Sequence, residues 1–297
     1  MDHTEQRKKL RVALAGSKCV SATSVFDPLS ARVAEAVGFE IGMLSGSLAS
    51  ITTLAAPDLN VLTLTEYADQ IRRIMRVSGL SLFIDADNGY GNALNVMRTV
   101  QEVEHAGVSA LSIEDMVLPR SFGQAEGEQR LVSIEEAVGK LRAAVAGRSD
   151  PSLVIAARTS ALVVEGVDGA VARAKAYSMA GVDAIYLATN VAGVNVYSRP
   201  DILEQFKAVN AAAKLPLMLN AGRSLLKRED LTACGVRIMA QGLQPVAASV
   251  KALRETYMHL FSGGAPADLK SKIASPQEME QLVNADSYKQ WLHEYMR

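Results

Sequence analysis

The sequence predicts an α/β protein built as one (β/α)8 barrel of the TIM type. Short apolar runs alternate with amphipathic helical patterns eight times between residues 19 and 262, and such alternation favours parallel strands with helices outside. The chain is 49% hydrophobic but only 5% aromatic, and an Ala/Val/Leu/Ile interior suits strands buried on both faces. Its 297 residues also fit a single barrel, which routinely reaches this length. A doubly wound open sheet is the alternative reading of the same alternation.

Strands are expected at residues 19–24, 39–44, 81–85, 109–114, 152–158, 183–188, 215–219 and 235–240. Helices are expected near 29–37, 65–77, 92–106, 134–146, 168–180, 200–212, 228–233 and 244–261. Local signals mark several boundaries. Thr65 with Glu66 opens the second helix. Ala106-Gly107, Ala180-Gly181 and Cys234-Gly235 place glycine where a helix stops before a strand.

Residues 1–262 are thus expected to form the barrel and 263–297 a helical extension. Gly263-Gly264-Ala265-Pro266 reads as the linker, followed by helical patterns near 275–283 and 286–296. The second carries Tyr288, Trp291, Leu292 and Tyr295. An extension holding the only tryptophan is expected to pack, on its own barrel or, by preference, on a neighbouring subunit.

Composition narrows the function. A net charge of −1 leaves no electrostatic footprint for nucleic acid or an anionic membrane. No apolar run approaches the roughly 20 residues of a membrane span. Met1 to Arg11 is polar and charged, without the apolar core of a secretory signal. Cys19 and Cys234, the only cysteines, make neither a disulfide framework nor a zinc site. The cytoplasm is the expected compartment.

Barrel enzymes gather their active sites at the carboxyl ends of the strands, so the residues standing there are the candidates. Ser45-Gly46-Ser47 follows the second strand, and its small residues let backbone N–H groups approach an anion. The same loop carries Pro57-Asp58. The third strand ends in Asp85 and Asp87, the fourth in Glu114-Asp115, and the fifth in Ala157-Arg158-Thr159. An acidic, oxygen-only set favours a hard cation such as Mg²⁺ or Mn²⁺ over zinc. Taken singly, each residue is an ordinary strand-end ion pair. Their convergence on one face reads as a metal site for an anionic, oxygen-rich ligand. None of His3, His105, His259 and His293 falls at a strand's carboxyl end, which argues against Ser-His-Asp or Cys-His catalysis.

These residues have a family likeness. Ser24-Val25-Phe26-Asp27-Pro28-Leu29-Ser30-Ala31-Arg32, Ser45-Gly46-Ser47 and Asp85-Ala86-Asp87-Asn88-Gly89-Tyr90-Gly91-Asn92 resemble the isocitrate lyase and phosphoenolpyruvate mutase superfamily. Ile113-Glu114-Asp115, Gly139-Lys140 and Ala157-Arg158-Thr159 extend the likeness, which is nearest to the oxaloacetate decarboxylase branch. The resemblance implies Mg²⁺ (or Mn²⁺) held directly by Asp85, with Asp58, Asp87 and Glu114 acting through water. It implies a substrate carboxylate gripped by Ser47 and the backbone of Ser45 and Gly46, and Arg158 on the carboxylate and keto oxygen. It also implies a tetramer, a dimer of dimers, whose C-terminal helices are swapped between subunits.

Departures from the pattern are informative too. Lyase members carry a cysteine acid in the loop after strand four, whereas here that loop reads Pro119-Arg120-Ser121-Phe122-Gly123-Gln124. Mutases place an asparagine in this loop, and none occurs between Val117 and Gln129. The decarboxylase branch has a histidine after strand eight where this chain has Leu243, and Ser160 replaces a more usual Asp or Asn. Gln241 and Gln244 are candidate replacement donors. The expected reaction is metal-assisted decarboxylation of oxaloacetate or a similar β-keto acid, catalysed by Asp85 and Arg158 with Tyr90 as proton relay. Alternatives are C–C lysis or phosphonate isomerisation on a related acid, or a barrel that binds a dicarboxylate without turnover.

Overall fold

The computed structural model describes residues 3–125, 128–191, 194–220 and 226–297. Eight parallel strands close into a barrel in sequence order: β1 Val20–Ser24, β2 Ile41–Leu44, β3 Ser81–Asp85, β4 Ala110–Glu114, β5 Val154–Thr159, β6 Ala184–Leu187, β7 Leu217–Asn220 and β8 Val236–Ala240. β8 pairs with β1, joining Ile238 to Val20 and Ala240 to Ala22. All eight expected strands are present, and the open-sheet alternative falls. β2, β5 and β7 each begin two residues later than expected.

Helices follow every strand, and their ends obey local chemistry. Asp27 caps the helix Pro28–Val37 with a reciprocal capping box to Ser30. The helix Leu64–Met75 starts earlier than Thr65, because Thr63 is the cap and Glu66 returns its hydrogen bond, the S/T-x-x-E pattern. Gly107, Gly181 and Gly235 all take positive φ at the expected stops.

Two apolar layers hold the barrel. Leu82, Ile84, Leu111, Ile113, Ile155 and Ala157 face the surrounding helices, while Phe83, Ala110, Val154, Ala156, Tyr186 and Met218 fill the interior. The period of two along each strand produces that division. Leu10 and Leu14 join the interior layer from a helix, Thr4–Ala15, absent from the sequence-based expectation. It plugs the amino-terminal mouth, anchored by Arg7 Nε on the carbonyl of Val108 at 3.0 Å and Arg7 Nη1 on Asp150 at 2.8 Å. Among the described residues no helix is long and apolar enough to cross a membrane.

The extension contains the helices Pro276–Leu282 and Ala285–Tyr295. Arg32 reaches the carbonyl of Leu282 at 2.7 Å, so the first rests on its own barrel. The second leaves Tyr288, Leu292 and Tyr295 largely exposed and Trp291 47% exposed.

Candidate active site

Register aims the functional side chains. Asp85 on β3 pairs with Ser112 on β4, and Glu114 at the end of β4 pairs with Arg158 on β5. Alternation turns Ser112, Glu114, Ala156 and Arg158 inward together. Asp85 Oδ1 accepts a hydrogen bond from Ser112 Oγ at 3.0 Å, and Asp85 Oδ2 is ion-paired with Arg158 Nη1. Arg158 Nε lies 3.3 Å from Glu114 Oε2, yet neither atom is aligned for a hydrogen bond. The guanidinium also stands 5.6 Å from the ring centre of Tyr186, within cation–π range.

Beyond Asp85 the chain turns sharply. Asp87, Gly89, Tyr90 and Gly91 all have positive φ, a run that glycine tolerates and other residues resist. Gly89 has a second reason to be glycine, since a Cβ there would lie 2.3 Å from Val96 Cγ2. The turn brings Asp87 Oδ2 to Asn60 Nδ2, which donates at 3.0 Å. Gly46 backs the opposite oxygen so closely that a Cβ would stand 3.0 Å from Asp87 Oδ1. Ser45 caps the helix Gly46–Leu54 by accepting from the Leu48 N–H, and its Oγ is 3.2 Å from that of Ser47. The positive end of that helix therefore opens beside the carboxylates, an arrangement that favours anions.

Charge is concentrated here. Burial pushes Glu114 up to about 8; Arg158 pulls the other way, while Asp85 and Asp87 push further. Burial and the charge of Asp85 push Asp87 up to about 7, against the hydrogen bond from Asn60. Burial disfavours the charge of Arg158, but Asp85 and Glu114 outweigh it and hold the guanidinium protonated.

These groups line a cavity of about 930 Å³ at the carboxyl-end mouth. Of the expected residues, Ser45, Ser47, Asp58, Asp85, Asp87, Glu114, Arg158 and Leu243 all line it, as does Gln241. Gly46 and Tyr90 do not. Tyr90 instead packs, half-buried, against the strand–helix core. Asp115 and Ser160 are buried away from the cavity, Ser160 Oγ reaching Met116 Sδ at 3.5 Å. Sequence reasoning missed Asn60, Ser112 and Tyr186. Ser112 and Tyr186 are recoverable from strand alternation, two residues before Glu114 and opposite Arg158. Asn60 sits on a loop with positive φ, where no strand or helix period sets the direction of a side chain.

A divalent cation suits this donor set in one way. Among the described residues no group of three or more His, Cys, Asp or Glu side chains is arranged to hold an ion by direct contact. Mg²⁺ commonly keeps several waters and takes only one or two carboxylates. A buried oxygen of Glu114 without a hydrogen-bond partner, beside carboxyls pushed upward by their neighbours, marks an excess of negative charge that a hydrated cation would satisfy. The residues fit one direct ligand and a water-bridged surround.

A closed parallel barrel with a carboxylate–arginine cluster at its carboxyl-end mouth defines a barrel enzyme for a small anionic ligand. Residues 10–261 match the phosphoenolpyruvate phosphomutase family, within the isocitrate lyase/phosphoenolpyruvate mutase superfamily, and the chain belongs to that family. It is 44% identical, over 95% of this chain and 93% of the relative, to the oxaloacetate decarboxylase of Rhodopseudomonas palustris (strain BisA53). It is 43% identical, over 99% of this chain and 94% of the relative, to the oxaloacetate decarboxylase of Paraburkholderia xenovorans (strain LB400). A solved phosphonopyruvate hydrolase in complex with oxalate and Mg²⁺ superposes with a TM-score of 0.85 at 31% identity, covering 98% of this chain and 99% of that one.

Proposed function

We propose that this enzyme is a metal-dependent carboxy-lyase that converts oxaloacetate, or a closely similar β-keto acid, to pyruvate and CO₂. One observation carries the reading beyond family membership. The described cavity lining joins acidic residues and Arg158 but contains no cysteine or histidine, so its chemistry is charge stabilisation without a strong acid at the scissile bond. The names of the relatives at 43–45% identity agree with it.

In this reading Asp85 holds the cation directly, and Asp58, Asp87 and Glu114 hold its waters. Mg²⁺ is the proposed ion, with Mn²⁺ able to replace it. When bound, the ion supplies Lewis-acid stabilisation of negative charge developing on the keto oxygen, worth several kcal/mol of barrier. Ser47, with the backbone of Ser45 and Gly46, grips a substrate carboxylate at the helix N-terminus. Arg158 lines the cavity and neutralises the same anionic end. The C3–C4 bond then breaks, CO₂ departs, and the electron pair passes into a C2–C3 enolate. A proton returns to C3 from water.

The enzyme is proposed to work in the cytoplasm as a homo-oligomer, a dimer of dimers, without nucleic-acid or membrane partners. Its units are a barrel at 1–262 and an extension at 263–297, whose first helix rests on its own barrel and whose last helix packs on a partner subunit. The exposed aromatic face of Ala285–Tyr295 supports that exchange.

The test is pyruvate and CO₂ release from oxaloacetate by purified protein, with Mg²⁺ or EDTA, against the metal-only rate. Release well above that rate, lost with EDTA and in Asp85→Ala, is the expected result. Absence of excess release, with oxalate still raising the melting temperature in Mg²⁺, would reject decarboxylation and leave a binding site for another acid.

A further inference from the structure

Behind the cavity floor a second polar cluster joins β4 to β5. Asp115 Oδ2 accepts hydrogen bonds from Thr159 Oγ1 at 2.7 Å, Tyr177 OH at 2.6 Å and Arg173 Nη1 at 3.3 Å. Arg173 is itself fixed by Glu165 at 2.8 and 2.7 Å and by the carbonyl of Val132 at 3.0 Å. Asp115, Thr159, Arg173 and Tyr177 are all buried, and none lines the cavity. No part of the reaction proposed above uses them.

Their backbone links point at one residue. The Asp115 N–H donates to the carbonyl of Arg158 at 3.2 Å, and the Asp115 carbonyl accepts from Val132 at 2.8 Å. Residue 115 therefore holds residue 158 through the main chain and residue 159 through the side chain. Arg158 projects from that point to Asp85 and Glu114, so a small shift of its backbone is magnified at the guanidinium. A buried charge cluster is a poor way to gain stability, because well-packed apolar residues often do as well or better. It is a good way to fix direction, because each hydrogen bond constrains an angle as well as a distance.

We propose that Asp115 is a positioning residue. Through its bond to Thr159 it sets the end of β5, and so the direction in which Arg158 meets Asp85 and an anionic ligand. The inference rests on the reading of Arg158 as a ligand-binding arginine, and its test uses binding as well as turnover. Supporting shells of this kind hold productive geometry, and misplacement by about 1 Å can cost about 100-fold in rate.

Thr159→Val removes the hydroxyl at nearly constant volume, and Thr159→Ser keeps it. Oxalate affinity in Mg²⁺ by calorimetry, kcat with oxaloacetate, and melting temperature are measured for both, alone and in an Arg158→Lys background. Thr159→Val is expected to weaken oxalate about tenfold and to lower kcat by about 10–100-fold, with Thr159→Ser restoring both. In Arg158→Lys the same change should add less than about twofold, since its route of action is already gone. A lowered melting temperature with affinity and kcat intact would overturn the proposal, as would an undiminished penalty in the Arg158→Lys background. If Thr159→Val does not fold, Asp115→Asn must show the same split and the same non-additivity. Arg158→Lys separates the two failures. If it weakens oxalate and Thr159→Val does not, this inference alone falls. If neither weakens oxalate, the binding role of Arg158 falls with it.

Discussion

Arg158 on β5 is ion-paired with Asp85 on β3, reaching past the intervening β4. On the way its Nε edge passes Glu114, so one guanidinium serves two carboxylates from neighbouring strands. The cation proposed for Asp85 thus shares that carboxylate with Arg158, which links metal binding to substrate binding through one residue.

The first prediction follows from that link. Asp85→Ala should reduce oxaloacetate turnover to the metal-only background. Arg158→Ala should chiefly raise KM while also lowering kcat, a combined loss of about 10²–10³ in kcat/KM for removing one key charge stabiliser. Steady-state kinetics at saturating Mg²⁺ checks both. Wild-type-like turnover in Asp85→Ala would defeat the metal assignment.

Metal uptake should depend on pH, with a definite sign. Asp87 and Glu114 are pushed up to about 7 and about 8 without the ion, from ordinary values near 4. The folded metal-free protein therefore holds more protons than the unfolded chain between pH 4 and 8. By linkage, that part of its stability is complete below about pH 4 and is lost as pH rises toward 8. A cation reverses the loss by replacing those protons. The rise in melting temperature on adding Mg²⁺ to EDTA-treated protein should be larger at pH 8 than at pH 5.5. An equal rise at both would count against a carboxylate-held ion.

Leu243 tests selectivity at the rim. It is 37% exposed and lines the cavity, yet it cannot donate a hydrogen bond. Leu243→His should raise kcat/KM for oxaloacetate about tenfold, since a hydrogen bond to a charged group contributes roughly 1.5–3 kcal/mol. If the substitution lowers kcat/KM instead, this position serves a ligand other than oxaloacetate.

Much of this was legible in the chain. Eight strands and their order follow from the alternation of short apolar runs with amphipathic helices, because each βαβ crossover lays the next strand parallel beside the last. Asp85, Glu114 and Arg158 were found by asking what stands at strand ends, since the barrel converts sequence position into spatial convergence. Asp115 was misleading by the same logic: adjacent to Glu114 on an alternating strand, it points away from the cavity into the Thr159–Arg173–Tyr177 cluster. That Tyr90, the expected relay, stands outside the cavity lining was concealed by the left-handed turn, which no strand period describes. The helix Thr4–Ala15 escaped because only Leu10, Leu14 and Arg7 are buried on it, too short an apolar stripe to stand out from a polar segment.

That helix supplies the last prediction. Leu10 is fully buried among Phe83, Val154 and Met218 inside the barrel, at the mouth opposite the cavity. Leu10→Ala should remove a large side chain from a packed interior at a cost of about 2–5 kcal/mol. Val12→Ala on the same helix, 72% exposed, should stay within about 0.5 kcal/mol of wild type. Urea denaturation measures both, and kcat of folded Leu10→Ala should stay near wild type because the plug sits at the mouth opposite the cavity. If Leu10→Ala proves as silent as Val12→Ala, the helix is a surface appendage and the barrel closes its lower mouth without it.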